Sequence, residues 1–203
     1  MSVSTNTDWI SPTTCANLAV SGENWLRSFG VEIPATLQGT ETGSSDNARA
    51  LNALAPSANP TDILISGFGS GISAAVPSNA TIDGIEVRVE GYKSSGASPN
   101  DTLTYAALYS DASGTLVSGT SADAIVLPTG SSTAEAYVTT GGAADLWGAG
   151  SITRATIASS DFRVGVYALS TVISNYVYVD HVQIKVYYTY TPAPPNSFFF
   201  WDL

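Results

Sequence analysis

The sequence predicts an all-β protein: an antiparallel β-sandwich of jelly-roll type with about eight strands, an irregular N-terminal segment and an extended C-terminal tail. Three observations carry that reading. Short runs rich in Val, Ile, Thr and Tyr are separated by clusters of Gly, Pro, Asn, Asp and Ser, and nowhere does an apolar pattern of period 3.6 persist over four turns. Residues 176 to 190 form one long run, with Val182, Ile184, Val186, Tyr188 and Tyr190 alternating against polar neighbours, the pattern of a strand with one buried face. With 203 residues, 44% of them hydrophobic, the chain can bury one sizeable core. The organisation that follows is an irregular segment over 1–60 packing on a sandwich over 61–190, then a proline tether and aromatic tail over 191–203.

In the first segment Trp9 and Trp25 are anchors for packing on the sandwich, Gly39–Asp46 is a polar loop, and Asn47–Leu54 suits two helical turns capped by Asp46. Strands are expected at Ile63–Phe68, Ile82–Tyr92, Leu103–Tyr109, Ala124–Leu127, Ala134–Thr139, Phe162–Ala168 and Tyr176–Tyr190. In the second of these, Ile85, Val87 and Val89 face the core while Glu86, Arg88 and Glu90 form an exposed, solubilising face. Asp111 to Gly114 makes a turn from which Thr115–Ser118 returns as a hairpin strand. Leu146 and Trp147, set between glycines, read as a hydrophobic plug at a corner. Thr153 caps a short helical turn that points Ile157 inward.

The chemistry these residues exclude is as informative as what they suggest. Seven Lys and Arg stand against seventeen Asp and Glu, so there is no basic patch with which to displace counterions from a nucleic acid. No stretch approaches the length of an apolar membrane span, and the N-terminus has no signal-peptide pattern. One His and one Cys cannot build a structural zinc site. A calcium loop lacks its spacing, although Asn100 with Asp101 or Asp111 leaves a scattered Ca²⁺ site open. The glycines of Gly67–Gly71 precede neither a helix nor a lysine and read as a flexible turn, without a nucleotide role. Adjacent residues of a strand face opposite ways, so Asp180 and His181 are not an acid–base dyad. His181 falls on the polar face as a solvated or interface residue, while Asp180 accepts backbone hydrogen bonds at a bend. Cys15 is a small hydrophobe, and no enzyme activity or cofactor is expected.

One resemblance joins these pieces. The segments Ala80–Val89, Gly141–Gly148 (Gly-Gly-Ala-Ala-Asp-Leu-Trp-Gly), Thr153–Ile157, Asp161–Val166 and Val179–Tyr188 (Val-Asp-His-Val-Gln-Ile-Lys-Val-Tyr-Tyr) follow one another in an order that resembles a β-sandwich module of tailed-bacteriophage virion proteins, over roughly residues 46–190. The resemblance implies a structural role, a place in the virion after assembly in the host cytoplasm, and no transferable active site.

Beyond the sandwich, Pro192, Pro194 and Pro195 lead to Phe198, Phe199, Phe200, Trp201 and Leu203. Each such aromatic removes about 150–250 Å² from water when buried, so these five are the candidate partner-binding residues. Joined to the resemblance, the tail suggests a capsid decoration (cement) protein that binds the shell as a trimer or higher homo-oligomer in contact with the major capsid protein. A tail-fibre or tail-tip component is the nearest alternative. A carbohydrate-binding module is another, with Tyr105, Tyr109 and Tyr137 stacking on a surface glycan from an exposed sheet face.

Overall fold

The computed structural model describes residues 1–17, 25–27, 50–53, 62–94, 102–111, 113–170 and 176–194. Among these, twelve strands form two sheets, and the all-β sandwich-like architecture expected from the sequence is what the chain adopts. Five short strands come first: β1 (Val3–Asn6), β2 (Thr14–Asn17), β3 (Trp25–Arg27), β4 (Ala50–Ala53) and β5 (Asp62–Ser66). Helix α1 (Gly69–Ala75) leads to β6 (Thr81–Ser94), β7 (Thr102–Tyr109), β8 (Asp123–Ile125) and β9 (Thr129–Gly130). A turn of 3₁₀-helix at Ser132–Ala134 precedes β10 (Ala136–Gly141). Helix α2 (Arg154–Ile157), β11 (Arg163–Ser170) and β12 (Tyr176–Tyr190) complete the chain.

The larger sheet runs β10-β6-β12-β4-β3, with β1 beside β12 and β9 beside β6, and the smaller runs β2-β5-β11-β7-β8. Ile85, Val87, Val89, Val182, Ile184 and Val186 from the first sheet meet Ile63, Ile65, Ala106, Leu108, Val164 and Val166 from the second in one core. Removing a Leu- or Ile-sized side chain from water contributes roughly 1.5–3 kcal/mol, so this double layer supplies the stability that a chain with one cysteine cannot draw from an internal disulfide.

The central pair, β6 and β12, holds two register shifts. Val179 pairs with Gly91 but His181 with Glu90, leaving Asp180 as an extra residue on β12; Tyr187 pairs with Gly84 but Tyr188 with Ile82, leaving Asp83 extra on β6. An extra residue inverts the in/out alternation of a strand. Accordingly β12 buries Val177 and Val179 before the first bulge and Val182, Ile184 and Val186 after it. The bend expected at Asp180 is this bulge, and Asp180 is buried there.

Three local expectations need correction. Asn47–Leu54 is not helical where it is described, because residues 50–53 pair with both β12 and β3. Ladder pairing beside a strand as long as β12 outweighs the weak helical preference of so short a segment. Gly67–Gly71 is not a loose turn: Gly67 takes φ +87° and Gly69 opens α1. A side chain at Gly69 would meet the carbonyl oxygens of Ala158 and Ser159, so glycine is there for close packing. Thr115–Ser118 forms one isolated bridge, Tyr109 to Leu116, and not a strand. The turn before it is as expected, with Gly114 at φ +81° and Asp111 Oδ1 accepting from the Ser113 and Thr115 amides at 2.8 and 3.1 Å. A bond from the Thr115 side chain, and then these amide bonds, hold the Asp111 carboxyl below its ordinary range. Thr153 does cap α2, its hydroxyl accepting from the Thr156 amide, and Ile157 is fully buried.

The Leu146-Trp147-Gly148 corner is core. Trp147 is 1% exposed and donates from Nε1 to the Ile85 carbonyl at 3.0 Å. It takes φ +57°, a left-handed conformation that costs a side-chain-bearing residue energy, and its amide is held by Asp145 Oδ1 at 2.7 Å.

Candidate functional site

The five tail residues Phe198, Phe199, Phe200, Trp201 and Leu203 lie outside the described residues, as do Asn100, Asp101 and the Gly39–Asp46 loop. What is described is the tail's point of departure. Beyond Tyr190 the segment Thr191–Pro194 is exposed, and Asn79 Nδ2 donates to the Thr191 carbonyl at 2.9 Å. Among the described residues the core cluster reaches Tyr188 and the half-buried Tyr190. The tail therefore departs next to the start of β6.

Three open hollows lie at this same end of the sandwich. One, of about 400 Å³, is lined by residues on either side of Asn79, namely Ser78, Ala80 and Thr81, together with Ile82, Ile152 and Ala155. A larger one, of about 670 Å³, shares Ser151, Ile152 and Thr153 with it and continues to Leu116 and Val117. The third, also about 400 Å³, sits between Thr13, Gly67, Gly69 and Ser160. Their walls are hydroxyls and small apolar groups. The one cationic side chain at the first, Arg154, donates to the carbonyls of Val76 and Ser73 at 2.8 and 3.0 Å, which ties α2 to the end of α1.

A second assembly of polar groups covers the outer face of the larger sheet. Register places Tyr137, Glu90 and His181 in one row across β10, β6 and β12, and Thr139, Arg88 and Gln183 in the next. Residues 7–11 run along the edge of β12, where the amides of Thr7 and Ile10 donate to the carbonyls of Val186 and Ile184 at 2.9 and 2.8 Å. This strap brings Trp9 and Ser11 over the row. Arg88 lies between the rings of Trp9 and Tyr137, 4.3 Å from each centroid, and donates to Gln183 Oε1 from Nε at 2.7 Å and from Nη2. Lys185 sits 4.4 Å from the Trp9 centroid. His181 bonds Ser11 Oγ through Nε2 at 3.1 Å and the Tyr137 hydroxyl through Nδ1 at 2.7 Å, and Gln183 Nε2 donates to Ser11 Oγ at 2.8 Å.

This arrangement revises two expectations. The Glu86, Arg88, Glu90 face is half-buried under the strap, not exposed, and His181 is 6% exposed, not solvated. The reason is the same for both: cations laid on aromatic faces and a hydrogen-bonded roof let polar groups leave water at small cost. One acceptor is left over, since Glu90 Oε2 is buried without a hydrogen-bond partner among the described residues. Nearby, Tyr187 donates to Glu86 Oε2 at 2.8 Å, and that bond, then burial and the Glu86 charge, push the Tyr187 hydroxyl above its ordinary value.

The three tyrosines considered as a sugar platform do not share a face. Tyr105 and Tyr109 lie on the outer side of the smaller sheet, where Tyr109 is 6% exposed, while Tyr137 belongs to the network on the larger sheet. Tyr105 stacks on Tyr167 with centroids 5.0 Å apart. Sequence reasoning missed both the strap and the Arg88 cluster. The signal for the cluster, Trp9 and Tyr137 near a lone Arg, is unreadable until the β6–β12 register is known. Among the described residues no group of three His, Cys, Asp or Glu is placed to hold a metal, and no helix is long and apolar enough to cross a membrane. No protein-family model matches the chain, and no curated protein or solved structure does.

Proposed function

We propose that this chain is a structural subunit of a tailed-bacteriophage virion, a decoration protein that binds the shell as an oligomer and grips its neighbour through Phe198–Leu203. The observation that supports this reading is the tail's departure: a Thr191 carbonyl pinned by Asn79 and an exposed Thr191–Pro194 just beyond the last core contact among the described residues. Prolines at 192, 194 and 195 favour an extended backbone, which makes the aromatics a peg on a stiff tether. The virion setting rests on the resemblance over residues 46–190. The internally bonded polar network supports a scaffold role, because its side chains are spent on holding the strap. Removing residues 196–203 tests the reading: the truncated chain should keep its β-rich circular dichroism and lose association with particles. Normal incorporation of the truncated chain would overturn it.

A second reading has one observation in its favour. The Tyr105–Tyr167 stack offers an aromatic surface on the smaller sheet of the kind that sugar rings pack against. A glycan array probed with the monomeric protein separates the two, and binding lost in Tyr105→Ala would favour the carbohydrate module.

A further inference from the structure

The peg needs a socket, and the structure offers one. Resting on the reading of the tail as a peg, we infer that the socket is the double hollow beside Asn79 on a second copy of this chain, so that the tail of one subunit fills the groove of the next.

Four observations lead there. The two hollows adjoin one another, sharing Ser151, Ile152 and Thr153 in their walls. Leu116, at the far end, is 40% exposed, an apolar side chain left uncovered where an aromatic would cover it. The groove carries one charged side chain, Arg154, and the aromatic segment carries one, Asp202. In a chain of net charge −10, a cation at the groove matched to the Asp202 carboxylate of the tail is complementary, whereas most of the surface repels another copy.

The tether decides between the chain's own groove and a neighbour's. The hollow starts at Ser78 and Ala80, on either side of the residue that pins Thr191. Thr191–Pro194 is exposed, and prolines at 192, 194 and 195 disfavour a reversal of the chain beside the pin. A tether that favours extended backbone suits a neighbour's groove better than the chain's own. A tail-in-groove contact joins two different surfaces, so repeating it closes a ring when the rotation allows, which gives the trimer or higher oligomer without a separate interface.

Light scattering after size-exclusion chromatography tests this on the full chain. The intact protein should be an oligomer, whereas both the chain lacking 196–203 and the variant Leu116→Asp/Ala155→Asp, which changes two exposed groove residues, should be monomers. If deletion gives monomers and the groove variant stays oligomeric, the socket is wrong and the peg reading stands. If the deletion itself stays oligomeric, or the intact chain is a monomer, both fail. Disulfide trapping covers the case in which the groove variant does not fold. In a Cys15→Ser background, a chain with Leu116→Cys is mixed with a chain carrying Phe200→Cys. A band at twice the chain mass that disappears on reduction is expected. Its absence overturns the inference, and so does exclusively intrachain bonding in a chain that carries both cysteines.

Discussion

The two outer faces of this sandwich solve the same problem by opposite means. On the larger sheet a separate segment, residues 7–11, is laid across a polar row and fixed by charge: Arg88 between two rings, Lys185 on one of them, and His181 and Gln183 bonded to Ser11. On the smaller sheet the cover is apolar and made by the strands' own side chains. Tyr109 folds over Gly165, and with Leu64 and Ala107 it makes a small buried cluster outside the main core. A side chain at Gly165 would come within 2.2 Å of Tyr109 Cε2. A roof built from a distant segment depends on specific partners. A roof built from neighbouring side chains depends on shape.

That contrast can be broken one face at a time. The largest effect is expected from Arg88→Ala, which removes two cation–ring contacts and leaves Gln183 Oε1 buried without its donors, a cost of about 3 kcal/mol from the loss of charge-assisted bonds. Arg88→Lys should recover less than half of it, since a lysine lacks the planar fork. Denaturant midpoints measure both, and full rescue by lysine would show that charge alone holds the roof. On the other face, Gly165→Ala should cost about 2 kcal/mol by overpacking, with Tyr109 displaced; an unchanged midpoint would mean that the ring moves aside freely. Ser11→Ala should cost about 1 kcal/mol and speed amide exchange at Thr7 and Ile10 while leaving β11 untouched. Equal acceleration in both sheets would contradict an independent strap.

The smallest effect concerns pH. The Tyr187 hydroxyl, bonded to Glu86, titrates above its ordinary value of 10.0 in the folded chain. A raised folded value means that the contribution is fully present below about pH 10 and is lost as the pH rises through the folded value. Tyr187→Phe should therefore flatten the alkaline limb of the stability profile and leave the neutral region alike in slope. An unchanged alkaline limb would show that the bond contributes nothing.

The strands were legible because their signal is local. Val, Ile and Tyr alternating from 176 to 190 can pack in few other ways, and the described strand has those same bounds. The Trp147 corner was legible for a similar reason, since a tryptophan between tight-turning glycines has few places to go. What the sequence hid is set by register. Nothing local says that Asp180 is an extra residue, that Arg88 stands opposite Gln183, or that residues 7–11 return to the edge of β12. His181 looked solvated because its alternation places it on the polar side; that side is roofed by a segment 170 residues away. The short strand Ala50–Ala53 was misread for the same reason, as its partners lie in β12.

The pin between Asn79 and Thr191 has a mechanical consequence. Were the proposed tail contact loaded along the strand axis, the strain would enter β12 at its Tyr190 end. The hydrogen bonds joining β12 to β6 lie across that axis, so they would be loaded together in shear, with none peeled open ahead of the rest. On its other edge β12 is clasped near the point of load by β1, Val3 against Tyr190. The strand from which the tail departs is thus held on both edges.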